Sequence, residues 1–196
     1  GRCREHFPDV VLNISGGLSD HLNQWVDDDQ IDLSLSYNKG TGTGLSAEPL
    51  AQEVLYFVQL NDGSGGGIDD ETVSFRHVST HPLVLPSRPH ILRVLVDEEL
   101  QRSELESKII FEVDSVWAMK ELALHGVAGT VMPIGAVRHE VVEGRLRARR
   151  IVEPDLSRTL YMIQSRRRPA SKAISAVSRL LRETVGDLAQ RTGVGW

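Results

Sequence analysis

The chain is short of several things that would define a function class. It has a single cysteine, Cys3, so no internal disulfide can brace it, and that suits a reducing compartment. No stretch approaches the run of roughly 20 apolar residues that a membrane span requires, and the opening Gly-Arg-Cys-Arg-Glu-His-Phe-Pro is not the apolar segment of a signal peptide. A formal net charge of -5 lacks the basic footprint of a nucleic-acid-binding domain. No G-x-S-x-G elbow occurs, and His77 and His81, spaced like a helical zinc pair, lack the H-E-x-x-H glutamate and run directly into Pro82. A loop is the expectation there. Nothing pairs a nucleophile with a base, so neither an enzyme, a cofactor nor a metal site is expected.

What is present is ordinary globular material: 40% hydrophobic and 25% charged residues over 196 positions. That length can bury a sizeable core as one large domain or two small lobes. Arg145, Arg147, Arg149, Arg150, Arg158, Arg166, Arg167 and Arg168 crowd one stretch. They would suit a phosphate or an acidic partner, but Glu143, Glu153 and Asp155 among them make a solvated face the simpler reading.

Periodicity predicts alternating strands and helices. Val10–Ile14 reads as a strand and Ser19 as the N-cap of a helix with Leu22, Trp25 and Val26 inward. Ile31–Tyr37 alternates as a strand should, so a parallel, right-handed strand–helix–strand unit is expected. The Gly40-Thr41-Gly42-Thr43-Gly44 loop runs into Glu48-Pro49 and not into a helix, which disfavours a phosphate cradle. Further strands are expected at Gln52–Leu60, Pro82–Leu85, Lys108–Val113, Gly129–Pro133 and Arg158–Ser165. Helices are expected at about Ile91–Leu100, from Asp114 or Ser115 to Gly126, over Ile134–Val142 and at about Ala170–Ala189. Asn61–Asp70 reads as a glycine-rich solvent loop. The whole argues for an α/β fold with mostly parallel sheets and flanking helices.

The order of these segments resembles the effector-binding domain of the LysR-type transcriptional regulators. Phe7-Pro8-Asp9-Val10-Val11-Leu12-Asn13-Ile14, Leu22-Asn23-Gln24-Trp25-Val26, Ile31–Tyr37, Pro82-Leu83-Val84-Leu85-Pro86-Ser87 and Leu122–Pro133 carry the resemblance. Within the family the match looks closest to the nitrogen-assimilation-control branch. It implies a two-lobed fold similar to type 2 periplasmic binding proteins, with lobe I at about 1–82 and 164–196 and lobe II at about 83–163. It also implies a winged helix-turn-helix domain that this chain lacks, and a first strand that is apparently missing before Phe7. Regulation by a small, anionic effector held between the lobes follows, as do homodimers or homotetramers, DNA contact only through the absent N-terminal domain, and a cytoplasmic location. A periplasmic solute-binding receptor of a transport system is the alternative.

The resemblance places candidate effector contacts at strand ends and helix starts, where such clefts bind. Tyr37 and Asn38 end a strand, where packing and turn formation compete with ligand contact. Ser87 and Arg88 suit a carboxylate or other oxyanion. Asp114 and Ser115 start a helix whose free N–H groups favour anions, though an inward Asp114 carboxylate would repel one. Met132 and Pro133 end a strand on the wall of the second lobe.

Overall fold

A computed structural model describes residues 2–63 and 72–192. Most of the expected glycine-rich loop, with Gly65, Gly66 and Gly67, lies outside the described residues. The chain divides into two compact units, the first containing the residues up to Gln52 and those from Thr159 onward, the second Glu53–Arg158. The second unit begins earlier than 83 because Glu53–Leu60 supplies strand pairing to it.

In the first unit, α1 (Arg2–His6) precedes α2 (Ser19–Asp27) and β1 (Leu33–Ser36), and the long α7 (Lys172–Thr192) closes the chain. Val10–Ile14 forms no strand, contrary to its pattern. No described strand pairs with it, and Val11 and Ile14 stand 94% and 86% exposed. The expected parallel unit is therefore not observed. Instead β8 (Ser157–Ser165) returns beside β1 antiparallel, from Leu33 opposite Gln164 to Ser36 opposite Tyr161. Ser19 opens α2 but does not cap it, since its hydroxyl accepts the Tyr37 N–H at 3.2 Å. Val26, Leu45 and Ile163 form the buried cluster, with Ile31, Ala47 and Tyr161 packed on it.

The second unit is built on β2 (Leu45–Leu60), which starts seven residues earlier than its expected start at Gln52 and enters this unit at Glu53. β2 pairs antiparallel with β6 (Gly129–Pro133) and β7 (Leu146–Val152), while β3 (Thr72–Ser74) lies parallel to β7. β4 (Pro82–Leu85) runs parallel to both β6 and β5 (Lys108–Glu112). The sheet is mixed: three of these five pairings are parallel, while β2 runs against both of its neighbours in this unit. β7 is a strand made from the arginine-rich stretch, and α3 (Phe75–Ser79) takes His77 out of the loop expected for it.

Period-two alternation sorts the core onto two faces. Leu55, Phe57, Val131, Leu83 and Leu85 face one way, covered by Phe75 and Val78 of α3 and by Leu92 and Val96 of α4 (Ile91–Arg102). Tyr56, Val58, Val84 and Met132 face the other, against Met119 and Ala123 of α5 (Val116–Leu124) and Val137. Helix α5 stops where Gly126 takes φ +66°. There the Val127 N–H reaches the Leu122 carbonyl and the Gly126 N–H the Ala123 carbonyl, each at 3.0 Å. At Gly129 a side chain would collide with the buried Phe57 ring, so only glycine lets β6 start there. The helix expected at Ile134–Val142 is split into a 3-10 turn, Ile134–Ala136, and α6 (Arg138–Val142).

Candidate functional site

In the second unit the carboxyl ends of the parallel strands β4 and β5 lie side by side. The Val113 N–H donates to the Leu85 carbonyl at 2.9 Å, which fixes the two departing loops against each other. Four expected residues meet there. The half-buried Ser87 donates its backbone N–H to Asp114 Oδ1 at 2.8 Å. Ser115 caps α5 by accepting the Ala118 N–H at 3.3 Å, the usual service of a serine at that position. Arg88, its side chain 68% exposed, donates from Nε to Asp97 Oδ2 at 2.7 Å.

Arg93 underlies this corner. Its guanidinium is 8% exposed, grips both oxygens of Asp97 at 3.0 Å, reaches Glu112 Oε1 at 2.8 Å and donates to the Pro86 carbonyl at 3.3 Å. Burial opposes its charge, but hydrogen bonds to Glu112 and Asp97 outweigh that and hold its pKa above the usual value. His90 caps α4, its Nδ1 accepting the Leu92 N–H at 3.2 Å, which leaves the ring proton on Nε2. Burial lowers the His90 pKa, Arg158 lowers it further, and Asp114 pulls the other way. Arg158 itself forms a buried pair with Glu53 at 2.6 Å, the side chains 10% and 8% exposed. Sequence reasoning singled out none of Arg93, His90 and Glu53. Glu53 meets Arg158 across 105 positions and Arg93 meets Glu112 across 19, which no local spacing signals, whereas the Arg93–Asp97 pair at i, i+4 and the His90 cap at i, i+2 are local patterns.

Two expected residues stand apart within this unit. Met132 is a core residue, 2% exposed, in the cluster with Tyr56 and Val84. Pro133 follows it, opposite Leu55 in the β2–β6 pairing.

Tyr37 and Asn38 belong to the first unit. Asn38 is knotted into its own turn: its N–H goes to Ser36 Oγ, its carbonyl accepts from Ser36 Oγ and Asn23 Nδ2, and its amide donates to Asp20 at 2.7 Å. Its Oδ1 takes the Gly40 N–H at 3.1 Å. That is turn-forming chemistry. A separate open cavity of about 350 Å³ in this unit is bordered by Asp32, Gln164, Arg168 and Ser171, and none of the expected residues lines it.

Among the described residues no group of three or more His, Cys, Asp or Glu side chains is arranged to hold a metal ion. No helix among them is long and apolar enough to cross a membrane.

Comparison with known proteins agrees with this architecture. The family described as LysR substrate binding domain matches residues 1–186. The nitrogen assimilation regulatory protein Nac of Escherichia coli is 27% identical over 184 residues, 93% of this chain and 58% of that protein. The chain thus spans little more than half the length of such relatives. The regulatory domain of Synechocystis CcmR, solved in complex with 2-PG, superposes with a TM-score of 0.81 at 13% identity, covering 94% of this chain and 88% of that one. The effector-binding domain of QuiR, solved with shikimate, gives 0.67 at 18% identity, covering 90% and 78%.

Proposed function

Because the chain belongs to the LysR substrate-binding domain family, we propose that it is the sensing part of a transcriptional regulator whose output is set by a small anionic effector. The observation that carries this reading is the corner where β4 and β5 end. There a backbone N–H at Ser87, the exposed guanidinium of Arg88 and the starts of α4 and α5 converge within a few residues. Carboxyl ends of parallel strands and helix N-termini are where α/β folds take oxyanions. CcmR with 2-PG and QuiR with shikimate are relatives in fold that carry small ligands. Within this unit Ser115 and Pro133 are assigned supporting contacts.

An effector acts by preferring one conformation, and its differential affinity is what shifts the output. DNA contact is assigned to the part of the regulator outside this chain, and the regulator to the cytoplasm, where its DNA is. The chain itself has no assigned turnover. Thermal-shift measurements against small carboxylates, phosphate and sulfate test the reading. At least one should raise the unfolding temperature, and Arg88→Ala should abolish that rise. If no small carboxylate moves the transition, the anionic effector is wrong; tight, sequence-specific DNA binding by this chain alone would contradict the division of labour.

The same reading includes a homodimer. Among the described residues β5 pairs only with β4, its Ile110 and Phe111 are 47% and 43% exposed, and Val116 and Trp117 at the start of α5, four and five residues beyond the strand's end, are 52% and 68% exposed. Such a patch on an open strand edge suits a second copy of the chain. Trp117→Lys should shift the sedimentation profile toward monomer.

A further inference from the structure

The corner proposed to receive an anion already holds one. Asp114 Oδ1 sits 2.8 Å from the Ser87 N–H, the backbone donor that leads from β4 toward the start of α4. Asp114 is delivered there by geometry that leaves it little freedom. On one side Val113 is hydrogen-bonded to Leu85, and on the other Ser115 is fixed as the cap of α5. The carboxylate is nonetheless exposed, so another anion can reach the same N–H.

The surrounding charges are also spoken for. Arg88 and Arg93 both lean on Asp97, and Arg93 also reaches Glu112. Glu53 answers Arg158. The carboxylates of Asp97, Glu112 and Asp114 thus outnumber the guanidinium groups of Arg88 and Arg93, and His90 contributes a hydrogen-bond acceptor to its helix and no cation. An anion arriving beside Arg88 meets a corner that is already negative, with its best backbone donor occupied.

We infer that Asp114 is an internal competitor for the effector's anionic group: its carboxylate holds the Ser87 N–H and must be displaced when an effector binds. This rests on the effector reading above and deepens it, because it makes Asp114 the residue that sets specificity. A simple ion offers only charge, which Asp114 already supplies without any loss of translational freedom. An effector must therefore add further contacts, and small inorganic anions are kept out.

The test uses the intact chain and inorganic phosphate as the probe. Affinity is measured by calorimetry for the unaltered protein, Asp114→Asn and Asp114→Ala, while the Ser87 backbone amide is followed by 1H–15N NMR. Glu106→Gln, an exposed acid away from the corner, makes the same change in net charge and serves as control. Asp114→Asn keeps an acceptor for Ser87 and so preserves the fold. Phosphate should bind Asp114→Ala, which frees the Ser87 N–H, on the order of tenfold more tightly than the unaltered chain or the control, and should shift the Ser87 amide. Asp114→Asn should fall between them, because its amide oxygen still occupies that N–H without the charge. Equal, measurable binding by all four proteins would overturn the role of Asp114 and leave the anionic effector standing. A folded Asp114→Ala protein that neither binds phosphate nor shows a moved Ser87 amide would overturn both.

Discussion

Both units carry exposed ion pairs, such as Arg145–Glu143 and Arg150–Asp155 in the second, but among the described residues only the second carries pairs buried at both ends. In the first, the ion pairs among the described residues, Arg2–Asp187, Arg167–Asp27, Arg168–Asp29 and Arg182–Glu48, are open to water at both ends, with side chains between 27% and 58% exposed. In the second, Arg93–Asp97, Lys120–Glu140 and Glu53–Arg158 all have both side chains at 20% exposure or less. The apolar cores differ in the same sense. The second unit buries side chains on both faces of a sheet, whereas the first gathers a small cluster around Val26 and leaves Val11 and Ile14 bare. Buried polar groups must be satisfied in one arrangement or not at all. The second unit is therefore the one whose geometry is specified residue by residue, as a recognition corner requires.

Substitutions at equivalent chemistry should separate the units. Arg93→Ala takes from Asp97 its buried partner, leaving it only the exposed Arg88, removes the partner of Glu112 and the donor to the Pro86 carbonyl, and should cost about 3 kcal/mol in urea unfolding. Gly129→Ala should follow, at about 2 kcal/mol, because the buried Phe57 ring and the Val58 carbonyl at 3.4 Å leave no room for a methyl group. Arg182→Ala, which breaks a bidentate pair with Glu48 in the first unit, should cost no more than about 0.5 kcal/mol, since both partners regain water. If Arg182→Ala proved as damaging as Arg93→Ala, the contrast between the units would fail.

Much of the second unit was legible because its strands and helices carry their own periodicity. β4, β5, β6, α4 and α5 lie where alternation, proline breaks and the Gly126 stop put them. β7 was not legible: Leu146, Ala148 and Ile151 are buried, but the arginines between them read as a solvated face, although in the strand they are half-buried. β3 and α3 are too short to show a period. Val10–Ile14 failed in the opposite direction, since a strand pattern becomes a strand only when a neighbour takes up its backbone groups. At the candidate site the sequence marked Ser87, Arg88, Asp114 and Ser115 as places where loops leave strands. It could not show that Ser87 and Arg88 are already partnered by Asp114 and Asp97, because those pairings close in space across 27 and nine positions of chain.

The smallest expected effect is a difference in acid sensitivity. His90 and His77 both belong to the second unit, and burial is the first cause that lowers each below its ordinary value of 6.5. A neighbouring arginine adds to this, Arg158 for His90 and Arg149 for His77, with His81 also pressing on His77. A base whose folded pKa is depressed binds fewer protons folded than unfolded, so its contribution is complete above 6.5 and is lost as pH falls from there through the folded value. Glu48 of the first unit behaves as a carboxylate held down chiefly by its hydrogen bond to Arg182, so its contribution is present above 4.5 and lost only below that. Glu140, held down by Lys120, joins it in that lower window. Unfolding followed between pH 6.5 and 5 should therefore show a decline governed by the histidines of the second unit. The double substitution His77→Gln with His90→Asn should flatten it, because asparagine preserves a helix-capping acceptor at position 90 without a titrating group. A decline that persists unchanged in the double variant would assign the acid sensitivity elsewhere and remove this last distinction between the units.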